Sequence, residues 1–342
     1  MFLTVSYVGN RAVHLPSGLN PINQPNPSIL SYGSLLSQPV NSPAAVAAGI
    51  TDPYPLFISQ FGSGATVEQA LKPFPQYTNV QNLYDDAGSS FYNSFQTQAE
   101  KRFTNGLSYL ASLTFGRDKT NADRAFSAYF NTPLNKYNQR PEYVVSNNDQ
   151  KYLVRVVTTY ELPFGPGHHF FNNKGLTGQI LGGWQMSGIF DYEGGTPLQI
   201  NENGSGIDGF DRPLVVPGVK RQTFNYDKAI DYFLGKLPAP PVMFSTNAFT
   251  PTANQYQLGN TARNYATLRN PPLRMEDLDL IKHFSVAEKV KLSIRMDYFN
   301  AFNRTIPNGP DTNISDSTFG EVTSEGSAII NRQGQVTFRV EF

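Results

Sequence analysis

The feature that most constrains the fold of this chain is an alternation of apolar and polar side chains with a period of two. The clearest stretch alternates one face with Tyr152, Val154, Val156, Thr158, Tyr160 and Leu162 and a second face with Lys151, Arg155, Thr159 and Glu161. The pattern recurs at residues 107–116, 184–193, 290–298 and 336–342. Because successive side chains of an extended chain point to opposite faces, this alternation predicts β-strands.

Three weaker segments, residues 2–8, 90–103 and 274–284, bring the prediction to eight strands. The last two each have a lysine, Lys101 or Lys282, on an otherwise apolar side. Short connections are predicted at Thr104-Asn105-Gly106 and Ala287-Glu288, with a moderate turn between Leu162 and Gly178, and Asn-Gly is a strong hairpin signal. The other connections are long, and they cover residues 9–89, 118–149, 194–273 and 303–333.

The lengths of the connections and strands favour an outer-membrane barrel over a soluble sheet. Short periplasmic turns that alternate with long extracellular loops are typical of such barrels, and they place both chain ends on the periplasmic side. The strands exceed the five or six residues usual in globular sheets and match the roughly 9–11 that cross a membrane. Aromatic residues stand at the ends of the apolar faces, where the membrane interfaces lie: Tyr152, Tyr160, Trp184, Tyr192 and Tyr298. We therefore predict an all-β fold, an antiparallel transmembrane β-barrel portion with about eight meandering strands.

The second face of these strands carries charge, as a water-filled lumen tolerates. The candidate lumen-facing residues are Lys151, Arg155, Glu161, Asp191, Glu193, Lys291, Arg295, Asp297, Arg339 and Glu341. They either contact a plug or a solute, or they solvate the wall and form cross-strand ion pairs. Loop aromatics offer a similar choice between ligand contact and mutual packing, and these are Tyr54, Phe57, Phe61, Phe74 and Tyr77.

The composition indicates neither an enzyme nor a cofactor or metal protein. There is no cysteine and there are only four histidines, and 27 basic residues balance 27 acidic ones, which gives no basic field for nucleic acid. His168-His169 is expected in a turn. The segment 204–209 fits G-x-G-x-x-G, but Pro213 argues against the helix that a dinucleotide site needs. Asn203, Asp208 and Asp211 are better explained by a solvated loop than by a cation site.

Collinear strings along most of the chain resemble the C-terminal part of Oar-like TonB-dependent receptors, a family abundant in Acidobacteria. The strings are Leu3–Arg11, Tyr92–Gln96, Glu100–Tyr109, Leu181–Gln185, Gly194–Pro197, Asn247–Phe249, Gly259–Asn264, Leu278–Leu280, Phe299–Asn303 and the terminal Phe342. The resemblance implies a barrel of about 22 strands with a plug inside, preceded by a carboxypeptidase-regulatory-like domain. It also implies outer-membrane lipid, the barrel-assembly machinery and the TonB energy-coupling system as partners, with Phe342 as the assembly signal.

Residues 1–342 are expected to be the C-terminal part of such a receptor barrel, without plug, regulatory-like domain or visible signal peptide. Eight strands account for about a third of the barrel, so a truncated reading frame and a fragment of a split gene both remain open. The predicted function is a receptor or transporter barrel of the outer membrane, with TonB-dependent uptake of an unidentified ligand by the intact protein. The alternatives are a self-standing eight-stranded barrel with a structural or adhesive role, and a soluble all-β enzyme or carbohydrate-binding module.

Overall fold

A computed structural model describes the chain except for residues 81, 83, 84, 124–132, 174, 205–206, 208–211, 288–289 and 327–330. Within the described residues, eight long strands form one antiparallel sheet, and five short strands lie in the connections between them. In chain order the strands are β1 (Phe2–Ser17), β2 (Asp85–Thr104), β3 (Leu107–Thr120), β4 (Val144–Val145), β5 (Tyr152–Glu161), β6 (Trp184–Glu193), β7 (Pro197–Leu198), β8 (Leu214–Val215), β9 (Phe249–Thr250), β10 (Tyr265–Arg269), β11 (Leu273–Ala287), β12 (Val290–Phe299) and β13 (Gln333–Glu341).

The long strands form a meander in the order β1-β2-β3-β5-β6-β11-β12-β13, in which each strand is antiparallel to the next. The eight predicted strands are therefore confirmed. β1 and β13 form the two edges, and the described residues give neither edge a second partner, so the sheet is not closed.

The first two strands are longer than their sequence pattern predicts. β1 continues to Ser17 and β2 begins at Asp85, so the first long connection is shorter than the predicted 9–89. The pairing passes two register shifts near His14, whose φ is 57°. Backbone hydrogen bonds pair the two strands along this extension, and such bonds do not require alternating apolar and polar side chains. At about 3.3 Å per residue, β2 is about 66 Å long, far more than the apolar band of an outer-membrane barrel.

The short connections lie at one end of the sheet, called here the turn end, and the long ones lie at the other, the loop end. The Asn105-Gly106 hairpin is confirmed, with φ of 52° and 78° at its two central residues, as a type I′ turn requires. The β5–β6 connection, residues 162–183, contains a short helix, α4 (Leu176–Leu181). The turn between β11 and β12 falls at residues 288–289, outside the described residues.

The apolar side chains of the eight strands share one face of the sheet, called here the outer face. One cross-strand row on it joins Tyr7, Phe95, Phe115 and Tyr152. Phe338 on β13 is 74% exposed. Tyr152 and Tyr160 end the apolar stretch of β5 and lie eight residues apart, which is about 26 Å along the strand and about 20 Å after a barrel-like tilt of about 40°.

The buried core of the protein lies outside this sheet. Every buried apolar side chain among the described residues belongs to the loop layer, which comprises the described parts of 18–84, 121–151, 194–272 and 300–332. One cluster surrounds Leu36, Phe57 and Val67, and a second surrounds Phe244 and Leu268. The loops are therefore packed structures at the loop end of the sheet.

The helical elements of the loop layer are short. They are α1 (Pro43–Ala47), α2 (Phe57–Phe61), α3 (Val67–Ala70), α5 (Asp227–Phe233) and 3-10 turns at Pro27–Ser37, Gly62–Gly64, Arg140–Glu142 and Thr246–Ala248. No helix in the described part of the chain has the length and apolar content needed to cross a membrane.

Three of the five loop aromatics pack on one another. The ring centroids of Tyr54 and Phe57 lie 5.4 Å apart, and those of Phe57 and Phe61 lie 5.1 Å apart, with Phe57 fully buried. Phe74 and Tyr77 are exposed at the surface of the same loop. Mutual packing therefore accounts for the first three aromatics, of which Tyr54 and Phe61 remain half-buried, and the last two are exposed.

Candidate functional site on the inner wall

The face opposite the outer face is called here the inner wall, and it collects the predicted charged residues. The strand register places nine of them on it: Arg155, Glu161, Asp191, Glu193, Lys291, Arg295, Asp297, Arg339 and Glu341. Lys151 directly precedes β5 at the loop end. Lumen-facing roles for these ten residues stay a prediction, since the sheet does not close.

The first ion cluster joins β5 to β6. Arg155 and Asp191 are direct cross-strand neighbours, and the Arg155 Nε donates a hydrogen bond to the Asp191 carboxylate. The same guanidinium lies 3.9 Å from Glu193, which also accepts a hydrogen bond of 2.8 Å from the side-chain amide of Gln150. The Arg155 side chain is 53% exposed, so solvent screens these pairs and their contribution to stability is small.

The second ion cluster lies on β11, β12 and β13. The Arg295 Nε donates a 2.6 Å hydrogen bond to Asp297, and its guanidinium lies 3.7 Å from Asp279. The side-chain amide of Gln335 donates to the other oxygen of Asp297 at 2.9 Å. Asp279 and Asp297 face each other in the register, so Arg295 bridges two carboxylates that would otherwise repel each other.

Asp279 and Gln335 also belong to this cluster, although neither is among the lumen-facing residues predicted from the sequence. Both had a usable signal, because each occupies a polar position in an alternating stretch. One buried oxygen of Asp279 lacks a hydrogen-bond partner among the described residues.

A shallow trough runs along the inner wall beside the second cluster. Its volume is about 670 Å³, and its lining includes Asp277, His283 and Lys291. Arg339 and Glu341 also line it and pair with each other at 2.9 Å, while Lys291 stands opposite Glu341 in the register. The trough therefore presents both signs of charge within three adjacent strands.

The remaining predicted residues lie apart from these clusters. Burial lowers the pKa of Lys151, and repulsion from Arg269 and Arg117 lowers it further. Glu161 stands opposite Gln185 at the turn end, without an ion-pair partner in the described part of the chain. Phe342 follows β13 and is fully exposed. Its role as an assembly signal stays a prediction.

The histidine pair, the glycine-rich segment 204–209 and the nearby acidic residues fall mostly in turns or outside the described residues. The ring of His169 packs edge-on against Phe170 in the β5–β6 connection, 4.6 Å between centroids. Most of the G-x-G-x-x-G segment lies outside the described residues, as do Asp208 and Asp211. Among the residues that the structure describes, no group of three or more His, Asp or Glu side chains is arranged to hold a metal ion.

A buried cluster of ion pairs and hydrogen bonds, called here the hub, connects the loop layer to the end of β3 at the loop end of the sheet. Arg263, only 2% exposed, donates hydrogen bonds to the Asp123 carboxylate, to the Thr120 carbonyl at 2.6 Å and to the Glu142 carbonyl at 3.1 Å. Arg212 binds the Glu142 carboxylate, with its two closest approaches at 2.9 Å. The hub satisfies two buried carboxylates with two guanidinium groups, as burial of charge demands.

The neighbouring residues extend this hub. Arg269 donates to the Asp149 carboxylate at 2.5 Å and to its carbonyl at 2.6 Å. Asn264 donates to the Val145 carbonyl at 2.9 Å. The string Gly259–Asn264 thus ties the β6–β11 connection to the β3–β5 connection. The sequence shows this string only as part of the family resemblance, without its partners.

A further ion pair, with a buried carboxylate, lies on the outer face near the loop end. Glu276 is fully buried and accepts hydrogen bonds from Arg304 at 2.8 Å and from the Tyr192 hydroxyl at 2.9 Å. Asn300 and Asn303 adopt positive φ of 48° and 50°, which turns the chain after β12 so that Arg304 returns over β11. An acidic residue at an otherwise apolar strand position was the available sequence signal.

Comparison with known proteins gives one match. A family model described as an outer membrane beta barrel domain matches residues 1–335. No curated protein and no solved structure matches the chain. The match covers the loop layer and the first seven long strands, and it ends within β13.

Proposed function

This chain belongs to the outer membrane beta barrel family, and from that premise we propose that its eight strands form part of the wall of a larger, TonB-dependent receptor barrel. The family places the protein in the outer membrane. In the proposal, lipid lies against the apolar outer face of the sheet. In the proposal the complete barrel takes up a ligand, which the loop layer meets first. The resemblance of the collinear strings to Oar-like receptors supports this choice.

The observation that carries the proposal is the pair of unpaired edges, β1 and β13. In hydrocarbon each unsatisfied backbone N–H or C=O costs several kcal/mol, so a membrane sheet must close or be continued by further strands. The described strands pair consecutively from β1 to β13 but do not pair β13 with β1. Further strands between the two edges would satisfy both of them and enlarge the lumen.

An apolar row on the inner wall also supports the proposal. Leu110, Val157 and Ile189 are direct cross-strand neighbours on β3, β5 and β6, and each is more than a third exposed. Such a row is unfavourable against a water-filled lumen and favourable against an internal domain, as a plug would provide. The ion pairs on the same wall join opposite charges, which suits a wall that supports such a domain.

The second candidate is a self-standing barrel of eight strands with a structural or adhesive role. It is favoured by the direction of the edges, because β1 and β13 are antiparallel to each other and their pairing would close an even-numbered barrel. The two candidates differ in one contact, the β1–β13 pair.

Cysteine cross-linking tests that contact cleanly, because the chain has no cysteine. A cysteine at Ser6 on β1 is combined in turn with cysteines at Gln335, Thr337 and Arg339 on β13, all on the inner wall. The pair Ser293→Cys and Arg339→Cys, direct neighbours on β12 and β13, is the positive control. A larger barrel predicts no β1–β13 cross-link in outer membranes and a C-terminal epitope well above 37.9 kDa. A β1–β13 cross-link in a folded 37.9 kDa species would overturn it.

Uptake needs a separate experiment, because the ligand is unidentified. Spent medium from cells with and without the gene is compared by untargeted mass spectrometry, before and after a protonophore collapses the inner-membrane gradient. We expect at least one compound to be depleted only by energised cells that carry the gene. Equal depletion in all four samples would contradict an uptake role.

A further inference from the structure

The described part of the β5–β6 connection, which is 22 residues long, exposes five large apolar side chains. Leu176 is 78% exposed, and Ile180 is also mostly exposed. Other exposed apolar residues of this connection are Phe170, Phe171 and Leu181. Apolar patches of this kind on a protein surface mark contact with a protein or a membrane.

Two hydrogen-bonding side chains fix the position of α4 relative to the sheet. The Trp184 Nε1 donates to the Ile180 carbonyl at 3.0 Å, and the Lys282 Nζ donates to the carbonyls of Gln179, at 2.7 Å, and Gly182. Trp184 and Lys282 are cross-strand neighbours on the outer face. The C-terminal end of α4 therefore lies over the lipid-facing side of the sheet.

Lys282 shows how this arrangement tolerates a cation on the lipid-facing side. The side chain is 3% exposed, and its ammonium lies 5.5 Å from the Trp184 ring centroid and 5.0 Å from that of Phe284. The carbonyls at the end of α4 carry partial negative charge, which stabilises a cation there. The lysine that interrupts the apolar pattern of β11 is thus explained by α4.

The lipid-facing surface of the sheet continues directly into this connection. Trp184 begins β6 and Tyr160 lies near the end of β5, which gives the turn end the interfacial aromatics expected of an outer-membrane barrel. α4 ends at Leu181, just before Trp184, and its Ile180 carbonyl accepts the Trp184 hydrogen bond, so the exposed side chains of α4 lie beside these aromatics. A short helix with an apolar face beside a membrane surface binds by burying that face at the boundary of headgroups and acyl chains.

We propose that the β5–β6 connection is a membrane-interface anchor, in which Leu176 and Ile180 enter the phospholipid leaflet at the turn end of the barrel. Trp184 and Lys282 hold α4 against the outside of the wall, so the helix sets the depth of the sheet in the bilayer. The anchor needs only the lipid-facing outer face. It is independent of whether the barrel transports a ligand.

Depth-dependent quenching tests the anchor. An environment-sensitive nitrobenzoxadiazole label is attached to single cysteines at Leu176 and Ile180 in the full chain, purified from outer membranes and placed in phosphatidylcholine vesicles. Leu56→Cys is the matched control, because Leu56 is 77% exposed but lies in the loop layer. Gln185→Cys, which is next to Trp184 but on the inner wall, is the second control.

We expect brominated phospholipid to quench the labels at 176 and 180 at least threefold more than the label at 56, and aqueous iodide to show the reverse order. Iodide quenching at 180 as strong as at 56 would overturn the proposal. Protection of the labels at 176 and 180 from both bromolipid and iodide, if it appears only in native outer membranes, would also overturn the proposal, since that result indicates a protein partner.

A second measurement avoids the label. Trp184 is the only tryptophan of the chain, so its emission reports directly on the surroundings of α4. Leu176→Ser combined with Ile180→Ser should shift that emission to longer wavelength in vesicles, and Leu56→Ser should leave it unchanged. An unchanged emission in the double variant, with the sheet still folded by circular dichroism, would also overturn the anchor.

Discussion

The guanidinium of Arg263 donates a hydrogen bond to the carboxylate of Asp123, 140 residues earlier in the chain, and both side chains are buried. Removing the cation leaves a buried carboxylate uncompensated, which costs about 3–5 kcal/mol. Arg263→Met is therefore expected to loosen the loop layer. Protease added to the outside of intact cells should cleave the loops at least a hundredfold faster in the variant. An unchanged cleavage rate would show that the hub does not hold the loops.

Substitution of Arg155, in the first ion cluster of the inner wall, should destabilise the protein less than substitution of Arg263. Arg155 is about half exposed, so solvent screens its attraction to Asp191 and Glu193, although both carboxylates are mostly buried. We expect Arg155→Met to lower the urea midpoint less than Arg263→Met does, because the cation that it removes is exposed and screened. Urea unfolding followed by Trp184 fluorescence measures this change, with Arg263→Met in parallel. A decrease as large as that of Arg263→Met would mean that the Arg155 pairs are shielded from solvent by something that covers the inner wall.

The loop layer should weaken in alkali through Tyr226. Burial raises the pKa of this phenol, whose hydroxyl donates a 2.8 Å hydrogen bond to the Arg269 carbonyl. Its stabilising contribution is complete below the unfolded tyrosine pKa of about 10 and is lost as the pH rises through the folded pKa.

Tyr226→Phe tests this pH dependence directly. The variant should lose about 1 kcal/mol at neutral pH, the net value of one hydrogen bond, and should be less sensitive to pH above about 10. Hydrogen exchange of loop-layer amides at pH 9 and pH 11 compares the two proteins. Equal sensitivity in both would assign the alkaline weakening to other groups, such as Tyr265, whose pKa burial also raises.

The hairpin between β2 and β3 should depend on Gly106. Its φ is 78°, and a Cβ added there would lie 2.8 Å from the Glu161 carbonyl oxygen. Gly106→Ala therefore adds a backbone clash to the strain of roughly 1–2 kcal/mol for a left-handed residue. Gly218 has the same φ with open space around it, so Gly218→Ala measures the strain alone. We expect the Gly106 variant to have the lower urea midpoint, and equal midpoints would contradict the clash.

The eight strands and their two faces could be predicted because they depend on local alternation. Leu110, Val157 and Ile189 are exceptions that alternation alone does not explain, and the structure places them in one row on the inner wall. The ends of β1 and β2 could not be predicted, since Gly9, Asn10 and Pro16 interrupt the pattern while backbone pairing continues. Backbone hydrogen bonds leave no signature in side-chain hydrophobicity.

The sequence predicts which residues of the ion clusters share a face, but not which of them are neighbours. Alternation identifies Arg155 and Asp191 as inner-wall residues, but only the β5–β6 register makes them neighbours. The hub around Arg263 and the pair of Glu276 with Arg304 gave even less signal, since their members lie in different loops or on opposite sides of a turn. Partners of this kind depend on which segments the fold brings together.

By itself the sequence determined the strand count, the apolar and polar faces, the hairpin at Asn105-Gly106 and the placement of the long loops at one end. These features rest on interactions between residues close in the chain. Only the tertiary structure decided that the loops contain the buried core and that Arg263 joins two of them. It also decided that Trp184 and Lys282 hold α4 on the outer face of the sheet. Those contacts form between distant segments, and their energy comes from burial and charge pairing that exist only once the sheet has brought the segments together.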